Sequence, residues 1–101
     1  MQLSAGSRWR SAVDDTEVIV VRPAEGDVVL ECGGYPMVAL GTESPGGEIA
    51  EGHDGGTLLG KRYVDEESGI EVLCTAPGVG SLALSGRSLQ LKSAKPLPSS
   101  D

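Results

Sequence analysis

No segment of this chain keeps apolar residues at helical spacing for three turns, and that absence narrows the fold more than any motif does. In place of helices stand short runs of β-branched and aliphatic residues, parted by glycine and proline at roughly 8–12-residue spacing. With 15 glycines and 6 prolines as punctuation, the pattern predicts an all-β fold: a small single-domain barrel or two-sheet sandwich of antiparallel hairpins. At 101 residues there is room for one thin core. Phenylalanine is absent and Trp9, Tyr35 and Tyr63 are the only aromatics, so valine, leucine, isoleucine and alanine must do most of the packing.

Three hairpins are expected. "TEVIVVR" (Thr16 to Arg22) and "DVVLEC" (Asp27 to Cys32) flank the turn-forming "PAEG" and read as the first. Gly33 and Gly34 then mark a bend or bulge, and Pro36, which cannot donate to a ladder, starts the strand "MVAL" at a sheet edge. The second hairpin pairs "TLLGKRYV" with "GIEVLCT" across "DEES", with Ile70, Val72 and Cys74 sharing one face. The third sets Leu82 and Leu84 against Leu89 and Leu91 across Ser85–Gly86–Arg87. Residues 1–92 thus read as one β domain, containing an acidic, glycine-rich loop over 41–56 too polar for a core. Residues 93–101 read as an extended tail with two prolines. Loops of that length in small domains are functional or disordered.

The net charge is −7 and uneven. The first 24 residues balance, residues 25–75 hold eleven acids against Lys61 and Arg62, and the remainder is slightly basic. Such an acidic middle repels phosphate, which argues against nucleic acid and anionic membrane as partners. The N-terminal residues contain no apolar stretch of signal-peptide type, and no run approaches a membrane span. Two cysteines in this setting read as reduced thiols, so a cytoplasmic location is expected.

Cys32 followed by two glycines has the outline of a thiol nucleophile beside backbone N–H donors. Glu31 next to it disfavours the thiolate, and the single histidine, His53, lies in the long loop. Packing as a small hydrophobe beside Val28 and Leu30 is the better account. Cys32, Cys74 and His53 supply the ligand types for zinc or another soft metal, yet without any C-x-x-C spacing; no cofactor is otherwise expected. His53 beside Asp54 resembles an oriented base, but a glycine-rich loop offers no rigid frame for one. The acids at Asp14–Asp15 and Asp65–Glu66–Glu67 do not follow calcium-loop spacing, and "APGVGS" lacks the lysine of a phosphate-binding loop.

Trp9 lies between Arg8 and Arg10. On a strand the indole points one way and both guanidinium groups the other. Trp9 then either plugs the core or, with Arg8, Arg10 and Tyr35, anchors a partner. No catalytic set assembles. The function expected is that of a non-enzymatic binding or accessory protein, which meets a protein partner or a second copy through β edges and an acidic surface. A metal or small-molecule site at Cys32, Cys74 and His53 is the alternative.

Overall fold

The computed structural model describes residues 1–24, 26–43 and 45–92; the expected 93–101 tail lies outside them. Ten strands form among the described residues: β1 (Arg8–Arg10), β2 (Glu17–Arg22), β3 (Leu30–Cys32), β4 (Tyr35–Pro36), β5 (Val38–Ala39), β6 (Arg62–Val64), β7 (Glu71–Ala76), β8 (Leu82–Leu84), β9 (Arg87–Ser88) and β10 (Gln90–Leu91). There is no helix among the described residues. The strands make two antiparallel sheets, one ordered β10-β6-β7-β2-β1-β5 and the other β4-β3-β8-β9. Neither closes on itself, so no barrel is formed.

Alternation along the strands explains the core. Val18 and Val20 of β2, Val72 and Cys74 of β7 and Tyr63 of β6 turn inward from the larger sheet. Leu30, Cys32, Leu82 and Leu84 do so from the smaller one. All belong to one buried cluster with Leu3, Met37, Ile70 and Leu89. Met37 and Leu89 mark two corners. Their amides still donate to the smaller sheet, at Leu30 (2.8 Å) and Leu82 (3.0 Å). The next residues then join the larger sheet as its edge strands β5 and β10.

Those two corners are equivalent, because the whole architecture is duplicated. Exchanging β1–β5 with β6–β10 reverses each strand order and leaves it unchanged. The register obeys the same operation. Arg8 opposes Ile19 as Arg62 opposes Leu73, and Trp9 opposes Val18 as Tyr63 opposes Val72. At the centre Ile19 opposes Leu73, and Val18–Cys74 matches Val20–Val72. The smaller sheet has its own centre at Glu31 and Ala83. An internal two-fold therefore relates the two halves.

Four expectations need correction. The first hairpin does not exist: β2 pairs with β1 and β7, while β3 pairs with β4 and β8 in the other sheet. Both runs have an apolar side, and those sides pack against one another across the core instead of lying side by side. Gly33–Gly34 is neither bend nor bulge but the two-residue turn of the β3–β4 hairpin, with Cys32 opposite Tyr35. Both glycines have positive φ (65° and 89°), as the hairpin turn that matches strand twist requires. Pro36 accordingly ends β4 rather than starting a strand. The third hairpin turns at Ser85–Gly86 alone, and Leu91 leaves it to pair with Tyr63. The second hairpin forms as expected, with Tyr63 opposite Val72.

The duplicated turns give a controlled comparison. Gly34 and Gly86 share a positive φ (89° and 84°), but a Cβ at Gly34 would lie 2.6 Å from the Ala50 Cβ, whereas Gly86 faces open space. Gly86→Ala should cost about 1 kcal/mol of backbone strain. Gly34→Ala should cost a further ~1–3 kcal/mol through the clash. Urea unfolding midpoints of the two variants test this, and equal shifts would mean that Ala50 moves aside freely.

Candidate functional site

The β1–β2 turn folds around its own polar side chains. The Ser11 hydroxyl, fully buried, accepts from the amides of Val13 (3.2 Å) and Asp14 (3.1 Å). Asp14 Oδ1 accepts from the Thr16 amide at 3.1 Å, and Oδ2 accepts from the Thr16 hydroxyl (3.0 Å) and the Gly80 amide (2.6 Å). The buried Thr57 hydroxyl donates to the Gly80 carbonyl at 2.7 Å. Asp14 therefore ties the first half of the chain to a loop of the second. Burial pushes its carboxyl pKa up, but the Gly80 amide and the Ser11 and Thr16 donors outweigh that and hold it below the usual value.

Cys32 sits at the inner end of this clasp, its Sγ 3.9 Å from Asp14 Oδ1 and without exposure. Burial raises its thiol pKa to about 11, and the Asp14 charge adds to the rise. The Gly33 amide, the N–H that an oxyanion would need, already donates to the Ser81 carbonyl at 3.1 Å. Cys74 is buried too, with its thiol hydrogen-bonded to the Ala76 carbonyl at 3.2 Å and its pKa raised by burial. Both cysteines are free. They occupy core positions, and nothing here activates either sulfur.

His53 is half-buried. Its ring lies close to Gly34, and its carbonyl accepts from the Ser81 amide at 2.9 Å. Among the described residues no three His, Cys, Asp or Glu side chains gather as a metal-binding set, so Cys32, Cys74 and His53 are not brought together as one. The 41–56 loop that carries His53 is held by backbone bonds: Gly46 to Ala12 (3.0 Å), Ala50 to Gly33 (2.9 Å), Gly56 to Val79 (2.8 Å) and Thr57 to Gly78 (3.0 Å). Composition alone does not reveal that docking.

The β1 residues divide as alternation requires. Trp9 turns inward against the core, its Nε1 donating to the Ser7 hydroxyl at 3.0 Å. Arg8 and Arg10 project from the outer face of the larger sheet. Cross-strand partners share a face, so the register gives that face its composition. One row runs Arg8, Ile19, Leu73, Arg62 across four strands. Another holds Val38, Arg10 and Glu17, and a third holds Arg22, Glu71, Val64 and Gln90. Glu71, nearly buried, is bridged by Arg62 (2.9 Å) and by Lys92 (2.8 Å), the residue after β10. Five of the eight cations thus share one face with two acids, around half-buried Ile19 and Leu73. The Arg10 Nε is buried and has no hydrogen-bond partner among the described residues. This clustering was missed in the linear reading, because Arg8, Arg22, Arg62 and Lys92 meet only through the β2–β7 pairing.

Tyr35 stands apart at the edge of the smaller sheet, 45% exposed, over a groove it shares with Ala12, Val13, Pro36 and Val38. No helix among the described residues is long and apolar enough to cross a membrane. Comparison with known family models, with curated proteins and with solved structures finds no match in any of the three.

Two measurements probe this chemistry. Native protein at mildly alkaline pH should leave both thiols unlabelled by an aromatic disulfide reagent, with both reacting once the chain unfolds; rapid labelling of Cys32 would restore the nucleophile. Asp65 accepts a two-point contact from Arg87 (3.1 and 2.8 Å), which holds its pKa at about 2 against an ordinary 3.8. Because the folded value is the lower, this contact stabilises fully above about pH 4 and is lost as the pH falls toward 2. Arg87→Gln should therefore flatten the stability profile between those limits, as seen in acid titrations of the unfolding midpoint.

Proposed function

We propose that this protein is a non-enzymatic interaction module whose larger sheet docks an acidic protein partner through its outer face. The observation that carries this reading is the Arg8–Ile19–Leu73–Arg62 row, a basic face with an aliphatic middle on a chain of net charge −7. Arginine is among the residues enriched at interface hot spots, and Ile19 and Leu73 add apolar area between the two guanidinium groups. A folding requirement does not account for the excess of cations, since only Glu17 and Glu71 balance them on that face.

Charge also selects among partners. Two copies meeting face to face would set five cations against five, which disfavours self-association through this surface. A nucleic-acid backbone would be drawn to the arginines but would gain nothing from Ile19 and Leu73, and would meet the repulsion of the remaining acids. An acidic protein surface satisfies both parts of the row. The unpaired Arg10 Nε adds a donor that a partner carboxylate relieves when the side chain swings outward. Two free thiols suit a reducing compartment, which supports a cytoplasmic location.

The test is charge reversal. Arg8→Glu with Arg62→Glu should weaken capture of a crosslinked partner from native extract at least tenfold, while Lys61→Glu, off the face, leaves it intact. Retention of the same partner by the double variant would sink the proposal. So would a captured species sensitive to nuclease.

A further inference from the structure

The internal two-fold supplies a control that few single chains offer, because each strand position of one half has a counterpart in the other. Beside β9 the second half has a small crevice of about 180 Å³ lined by Val64, Asp65, Glu66, Glu67, Arg87, Ser88 and Gln90. Arg87 closes over it, bonded to Asp65 (2.8 Å) and Glu67 (2.6 Å). The same place in the first half is the groove under Tyr35. The hairpin registers set Ala12 against Glu66 and Val13 against Glu67, and they set Tyr35 against Arg87, Pro36 against Ser88 and Val38 against Gln90. At all five positions a polar or charged residue in one half is apolar in the other. The fold does not need that change, since the second half folds with charges there.

The groove also has a wall. Pro45 to Glu48 line it, with the Gly46 amide held on the Ala12 carbonyl at 3.0 Å. It encloses about 280 Å³, below the roughly 300–1,000 Å³ of sites for drug-sized ligands but enough for a large side chain. The loop that forms this wall carries Glu43, Glu48, Glu51 and Asp54, all exposed, with no lysine or arginine and the half-buried His53. None of these acids is in an ion pair with a described residue.

We infer that the Tyr35 groove receives one large apolar side chain from an extended segment of a partner protein, with lysine or arginine flanking that side chain and meeting Glu48 and its neighbours. Apolar contact at Val13, Tyr35, Pro36 and Val38 provides the affinity, and the loop acids choose the flanks. The groove adjoins the arginine face at Val38, beside Arg10, but contains neither Arg8 nor Arg62: reversing those two leaves the groove untouched, so the two readings fail separately.

The experiment uses the full chain and a defined probe, a capped hexapeptide with phenylalanine between two lysines, titrated while backbone amide shifts are followed by NMR. Shifts should concentrate at Ala12, Val13, Tyr35, Val38 and residues 46–48. Replacing the phenylalanine by serine, or both lysines by glutamates, should weaken binding at least tenfold. Val13→Glu with Tyr35→Arg places at these sites the residue types that the second half carries at its own; the variant should keep its fold and lose the peptide. Glu48→Lys should weaken only the lysine-flanked probe. Equal binding of all three peptides, shifts confined to the Arg87 crevice, or undiminished binding by the double variant would overturn the inference. Free p-cresol binding as tightly as the peptide would overturn it too, in favour of a small-molecule site.

Discussion

Everything in this molecule hangs on the antiparallel ladder between β2 and β7, centred where Ile19 opposes Leu73. Each half of the chain is two hairpins whose apolar sides face inward, and neither half contains enough to cover its own. Val18 and Val20 reach burial only because Cys74 and Val72 stand opposite them and Leu82 and Leu84 pack beneath. The second shared ladder, β3 with β8, does the same for the smaller sheet. One core is thereby assembled from both halves together, which is how a chain without phenylalanine reaches a closed interior. The two-fold also explains why both outer strands of the larger sheet are short: each is the tail of a hairpin that begins in the other sheet, and short edges resist unwanted pairing.

Duplication is hard to see in the residues because strand pairing constrains only part of them. Gly6 and Gly60, Arg8 and Arg62, Glu17 and Glu71, Pro23 and Pro77, Gly34 and Gly86 coincide across the operation. Between them the side chains have drifted within a size class, as Trp9 has against Tyr63 and Met37 against Leu89. The all-β class was legible, and so was the β6–β7 hairpin, since a short acidic turn joins two runs that alternate cleanly. The link from Arg22 to Leu30 was not. A period of two reports that a strand has an apolar side, but not which sheet that side belongs to. The same limit hid both candidate surfaces: Tyr35 could be named as a partner anchor, while its groove is built from three separate segments of the chain.

The polar clasp at Asp14 shows how the halves come to differ without breaking the fold. In the second half the equivalent turn is held by Asp65, which accepts from the Ser68 amide and from Arg87 on the surface. In the first half Ser11 takes the place of Asp65, and the acid has moved to Asp14, where it binds the Gly80 amide instead. A Cβ at Gly80 would lie 2.8 Å from Cys32 Sγ, so the loop can approach only as glycine. The charge that closed a surface crevice in one half has become, in the other, an internal tie between the halves.

That relocation has a consequence for the surface. Once the turn is secured from inside, Val13 and Tyr35 need not form a salt bridge, and their positions are released from the service that Glu67 and Arg87 still perform. A released position on an exposed turn would be expected to stay polar, since water is its neighbour and apolar exposure gains nothing. Here Val13 and Tyr35 stand with Ala12, Pro36 and Val38 in one uncharged strip, and the 45–50 segment is drawn over them by the Gly46 and Ala50 amides. Random drift scatters apolar residues singly over a surface. Val13, Tyr35, Pro36 and Val38 instead form one strip beneath Pro45–Glu48, on the half of the molecule whose β1–β2 turn is tied down from inside by Asp14.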